Sequence, residues 1–204
     1  MTATAIFGLA GCALLCVAVT TTVFRFNRLP VRVRYALVTA GVAAVLVPIG
    51  DLSIAAYVRG ATGDLSVATL TLAVLALFSR LTGRRAFERR ESDALLWLVA
   101  GAALFLYPFA LGWTPFDPYA LGYGSIAFLA ALLLLTLAAW RMGLRLAVFV
   151  VLAGALACLG GAYESRNLWD YLIDPLAAAY ALGVLLWAGA RKLVSQRRQR
   201  APVI

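Results

Sequence analysis

Along the 204 residues, long apolar runs alternate with short polar connections. Seven runs stand out, at approximately 4–24, 35–58, 65–81, 94–113, 120–140, 144–163 and 171–190. Each is near the ~20 residues that a bilayer-spanning helix requires. In lipid a lone helix satisfies its own backbone hydrogen bonds. A membrane barrel would instead need strands alternating apolar and polar residues, and continuous apolar stretches such as 130–135 contradict that pattern. The pattern therefore predicts an all-α, polytopic integral membrane bundle of seven transmembrane helices in one domain, followed by a basic tail at 191–204.

The charges of the connections predict an orientation. Arg25, Arg28, Arg32 and Arg34 lie in the first connection, Arg80, Arg84, Arg85, Arg89 and Arg90 in the third, and Arg141 and Arg145 in the fifth. Arg191, Lys192, Arg197, Arg198 and Arg200 follow the seventh run, which leaves only Arg59 and Arg166 for the opposite face. By the positive-inside rule the N-terminus is outside and the C-terminus cytoplasmic. Removing any one span would put strongly basic segments on both faces, so the charges also support the count of seven.

Helix starts carry their own punctuation. Asp117-Pro118 and Asp174-Pro175 each set an acceptor at an N-cap and proline at the first helical position. Asp64 and Ser66, and Ser92 with Asp93, are expected to cap the third and fourth helices. Tyr57, Tyr107, Trp113, Tyr119, Tyr123, Tyr163, Trp169 and Tyr171 fall near the outer boundary, with Tyr35, Trp97, Trp140 and Trp187 towards the cytoplasm, as interfacial belts do.

Composition agrees with a membrane location and narrows the chemistry. Hydrophobic residues make up 64% and charged residues 13%, with mean hydropathy +0.92, whereas a soluble domain is about half apolar and a quarter charged. Histidine is absent, which removes the usual haem ligand, the commonest metal ligand and the default general base near neutral pH. Lys192 is the sole lysine among eighteen basic residues, an arginine bias in keeping with a GC-rich bacterial genome. A rhodopsin-type pigment would need a lysine within the seventh helix, and Lys192 falls at its cytoplasmic end. Cys12, Cys16 and Cys158 lie in apolar runs without metal-type spacing and read as small buried residues. The segment around Cys12 resembles a lipoprotein cleavage box, but no basic residue precedes it.

The outer side holds most of the acids, and the candidate outer-face polar site comprises Asp51, Glu164, Arg166, Asp170 and Asp174. Asp51 is the one acid inside an apolar run. Sixteen residues beyond Tyr35, it should lie about 24 Å along the second helix, just below the outer edge of a ~30 Å core, facing the bundle or pairing with Arg59 or Arg166. Pro48, three residues earlier, is positioned to bend that helix. If 166–174 lies along the membrane surface as a helical turn or two, Arg166, Asp170 and Asp174 share one face. The Gly-Tyr-Gly of 122–124 lacks a phosphate-loop context and reads as close helix packing.

Three function classes remain. The first is an accessory or scaffold subunit of a larger cell-envelope membrane complex, packing through small residues such as Gly154, Cys158, Gly160 and Gly161. The second is a small transporter or channel using the outer carboxylates, although Pro48 and Pro108 do not fall at corresponding positions of two three-helix repeats. The third is a membrane enzyme acting on lipid-linked substrates at the outer leaflet through carboxylates, tyrosines and arginines. Neither a cofactor nor a resident metal is implied. The expected partners are membrane lipids, with anionic headgroups at the cytoplasmic face, and a larger membrane protein; nucleic acid is not among them. The expected location is a bacterial cytoplasmic (inner) membrane.

Overall fold

A computed structural model describes residues 2–112 and 115–200, with side chains to residue 196. Trp113 lies outside the described residues, as do the side chains of Arg197, Arg198 and Arg200. The described residues are 77% helical and form α1 (Ala3–Val23), α2 (Val31–Leu46), α3 (Ile54–Thr62), α4 (Val67–Thr82), α5 (Arg89–Ala110), α6 (Ile126–Arg141), α7 (Arg145–Leu159), α8 (Leu168–Leu172) and α9 (Pro175–Arg200). Three helices are long and apolar enough to cross a membrane: Ala3–Val23, Arg89–Ala110 and Pro175–Gln196. Beyond the expected end of the last run, α9 continues into the basic segment up to Arg200.

The second apolar run is not one helix. Pro48 lacks an N–H and clashes with the preceding turn, and α2 stops at Leu46. Pro48–Ile49 then pairs antiparallel with Leu52–Ser53 around Gly50, whose φ of +76° favours glycine. The Ser53 side chain accepts from Ala56 N at 3.2 Å and starts α3. An even apolar pattern cannot distinguish this hairpin from helix, because every side chain involved suits either.

A further expected helix start is displaced. The Glu91 carboxylate accepts from Glu88 N at 3.2 Å, so α5 begins at Arg89, and Ser92 and Asp93 lie inside its first turns rather than capping it. Glu91 is buried and also accepts from Arg145 N at 3.0 Å, joining the N-termini of α5 and α7. Ser66 does cap α4, accepting from Thr69 N at 3.2 Å; Asp64 instead pairs with Arg59 at 2.7 Å.

α4 is common to two packing regions. On one side it meets α1, with Cys12, Ala13, Val17 and Ala18 facing Leu65, Ala73 and Leu77. On the other it joins the main core of α5, α7, α8 and α9. Between helices in lipid there is little hydrophobic gain, so cohesion rests on close packing and hydrogen bonds. Gly154, read as part of a partner interface, is used internally: a Cβ there would press on Leu172. At the opposite end Arg34 fastens α2, its guanidinium donating to the carbonyls of Leu29, Arg80, Leu81 and Asn27.

The 160–174 connection closes one end of the bundle. Tyr163, Asn167, Leu168, Trp169, Tyr171, Leu172 and Ile173 are all buried. The expected surface helix over 166–174 is thus corrected: only Leu168–Leu172 is helical, Arg166 is exposed, and Asp174 is 6% exposed. Large aromatic side chains here fill the space between helices, which a reading by charge spacing alone does not reveal.

Candidate functional site

The site is assembled by the connections at one end of the bundle. Irregular backbone at such a place must find its own hydrogen-bond partners. Side chains of the same segment provide them. The Tyr163 hydroxyl donates to Leu65 O at 2.6 Å. Tyr171 Oη accepts from Tyr163 N at 3.1 Å and donates to Ser165 O at 2.9 Å, and the two rings stack with centroids 4.7 Å apart. Asn167 accepts from Trp169 N through Oδ1 at 3.0 Å and donates from Nδ2 to Tyr119 O at 2.9 Å. Trp169 Nε1 donates to Pro118 O at 2.9 Å. Among the described residues no buried side-chain nitrogen or oxygen lacks a partner.

Asp174 is the most heavily used acid. Its Oδ1 accepts from Ala177 N and Thr69 Oγ1, and its Oδ2 from Ser66 N, each at 2.7 Å. The Asp-Pro cap read from the sequence is therefore present, and the same carboxylate also ties the start of α9 to the start of α4. Asp117 accepts from Tyr119 N at 2.9 Å, but the helix start expected at Asp117-Pro118 leads only into a short 3-10 turn over Tyr119–Gly122, and α6 begins at Ile126. Asp170 accepts from Tyr119 Oη at 2.9 Å and from Ser165 Oγ at 2.5 Å. Burial, and then the hydrogen bond and charge of Asp170, hold the Tyr119 hydroxyl well above the usual phenol range, so it stays a donor.

Asp64, Asp170 and Asp174 line one cavity of about 550 Å³ together with Tyr107, Tyr119 and Tyr163. Among the described residues no arginine or lysine lines it. Glu164 is exposed and lies in an adjoining recess with Arg59 and Asp64. Gly8 of α1 gives the Arg59–Asp64 pair its room, since a Cβ there would overlap both side chains. Chemically, the cavity presents acceptors and hydroxyl donors. Among the described residues no group of three or more Asp, Glu or Cys side chains is arranged to hold a metal ion.

Of the five expected site residues, only Asp170 and Asp174 line this cavity. Arg166 is exposed and, among the described residues, joins no hydrogen bond or ion pair. Asp51 is not within a helix: it sits exposed in the 48–53 hairpin, likewise without a bond, and its expected partner Arg59 is held by Asp64. Asp51→Asn is accordingly expected to change stability by no more than about 0.5 kcal/mol. Thermal unfolding in detergent checks this, and a loss of several degrees would mean that the carboxylate has a structural partner.

Asp64, Tyr119, Tyr163, Asn167 and Thr69 were not among the expected site residues. Asp64 pairs with Arg59 only five residues away, whereas the roles of the other four depend on contacts across 48 to 105 residues, for which one sequence carries no signal. Burial, followed by the charge of Asp64, pushes the Tyr163 hydroxyl up to about 12 from the usual ~10. The fold favours the neutral phenol, so this stabilisation is complete below pH about 10 and is lost as pH rises through about 12. Across that window wild type should lose stability relative to Tyr163→Phe as pH rises, read by thermal unfolding. A constant difference would contradict the assignment.

No protein family, curated protein or solved structure matches this chain.

Proposed function

We propose that this is a seven-span protein of a bacterial cytoplasmic membrane, N-terminus outside and C-terminus cytoplasmic, serving as an accessory or scaffold subunit of a larger cell-envelope membrane complex. The location and orientation are supported by the basic connections and by the three helices long and apolar enough to cross a membrane. The subunit reading rests on α2. Its sixteen residues include no buried side chain, and its outward face carries Ala36, Ala40, Ala43 and Ala44. The same helix also exposes larger residues, among them Val33, Tyr35 and Leu37, while α6 turns Ile126, Leu129, Leu133, Leu134 and Leu137 outward together with Ala127, Ala130, Ala131 and Ala138. A small-residue stripe lets a second backbone approach closely, so a transmembrane helix of a larger protein is the fitting occupant.

The outer carboxylates support the same reading, because Asp174 and Asp170 are spent on fastening the fold. Isolation in mild detergent tests it. A partner membrane protein should accompany the tagged wild-type chain and the Leu134→Trp control, and be lost from Ala40→Trp. A chain that emerges alone, or equal recovery with Ala40→Trp, overturns it.

The outer cavity favours a second reading, a small transporter or a membrane enzyme with its site at the outer face. In that case Asp170→Asn should abolish activity in cells while the amount of folded protein and of any partner stays unchanged.

A further inference from the structure

A groove of about 560 Å³ runs along α4 between α1 and α9. Its floor is shallow because Ala18, Ala73, Ala76 and Ala177 contribute only methyl groups. Lining residues extend from Thr69 to Arg80 on α4, about 16 Å at 1.5 Å per residue, or roughly half of a ~30 Å hydrocarbon core. The walls are apolar over most of that length. Polar groups gather at one end, where Thr22, Ser79 and Arg80 lie together.

Arg80 is positively charged without a structural use for its charge. The carbonyls of residues 80 and 81 at the end of α4 already accept from Arg34. Among the described residues Arg80 is in none of the ion pairs; its guanidinium donates once, at 3.4 Å, to the neutral amide oxygen of Asn27. The neighbouring Ser79 hydroxyl has no hydrogen-bond partner among the described residues. A monolayer-deep apolar groove with an uncompensated guanidinium and a vacant hydroxyl at its end matches one chemistry, an acyl chain attached to an anionic phosphate headgroup.

We propose that this groove binds one anionic phospholipid, its acyl chain along α4 and its phosphate at Arg80 and Ser79. The assignment to the cytoplasmic leaflet rests on the orientation proposed above; the binding itself does not. The full-length protein, delipidated in detergent and given equal phosphatidylglycerol and phosphatidylcholine, can be read by native mass spectrometry. Wild type should retain phosphatidylglycerol about fivefold in excess, equivalent to about 1 kcal/mol for one basic side chain. Arg80→Gln should abolish that preference, Ala76→Phe should reduce retention of both lipids by filling the groove, and Arg84→Gln, which removes an equal charge from an exposed position, should change neither. Equal retention of the two lipids by wild type overturns the proposal. So does a preference lost equally in Arg84→Gln, or retention unaffected by Ala76→Phe. Because both lipids reach the protein from detergent, these results are independent of orientation, which reporter fusions measure separately.

Discussion

Replacing Asp174 by alanine is expected to produce the largest loss of stability of any single change at the end of the bundle closed by 160–174. Three donors, Ser66 N, Thr69 Oγ1 and Ala177 N, would lose their acceptor together at a side chain that is only 6% exposed. At the ~0.6 kcal/mol average for hydrogen bonds between membrane helices the loss would be about 2 kcal/mol. At the ~1–3 kcal/mol typical of an abandoned buried donor it would be several times greater. The higher figure applies better here, because the acceptor is a carboxylate and two of the donors are backbone groups at helix starts, with no freedom to turn elsewhere. Asp174→Asn should fall between wild type and alanine: its oxygen can keep Ala177 and Thr69, while its amide group turns a donor towards Ser66 N. Loss of helical circular dichroism on heating in detergent reads the transition. Equal transition temperatures for wild type and Asp174→Ala would contradict the role assigned to this carboxylate.

Gly122→Ala is expected to be the second severe change. An added Cβ would overlap the Asn167 amide and crowd Trp169. Neither can retreat, because Asn167 holds Tyr119 O and Trp169 N, and Trp169 holds Pro118 O. Overpacking of this kind costs about 1–3 kcal/mol even where neighbours can adjust, and here adjustment would break hydrogen bonds as well. The contrasting change is Gly183→Ala in α9, where nothing lies within 4 Å of the added carbon. Helix propensity alone then favours alanine by up to about 1 kcal/mol. Opposite signs for the two substitutions are expected in the same unfolding assay; a harmless Gly122→Ala would mean that the packing of 119–122 against Asn167 and Trp169 is looser than described.

Which features were legible in the sequence follows from the range of the forces involved. The Asp174-Pro175 start and the cap at Ser66 are local properties, and each appears where the pattern points. The hairpin at 48–53 was harder to see, since Pro48 and Gly50 mark a break but the flanking residues stay apolar. Asp51 was misplaced for that reason: a rise of 1.5 Å per residue applies only while the helix continues. The closure by 160–174 depends on Tyr163, Asn167 and Trp169 meeting residues far away in the chain, and aromatic residues near a membrane boundary look alike whether they face lipid or a bundle. Arg34 illustrates the same limit at the other end, because a charge that satisfies the positive-inside rule gives no hint that it also fastens the end of α4.

The central claim, a seven-span bundle whose carboxylate-lined cavity opens outside the cell, is tested most directly by paired topology reporters. Alkaline phosphatase fused after Gly112 should be active, and fused after Arg200 inactive, with green fluorescent protein giving the reverse. Phosphatase activity at Arg200 would contradict the account, for it would put the basic connections outside and the cavity in the cytoplasm.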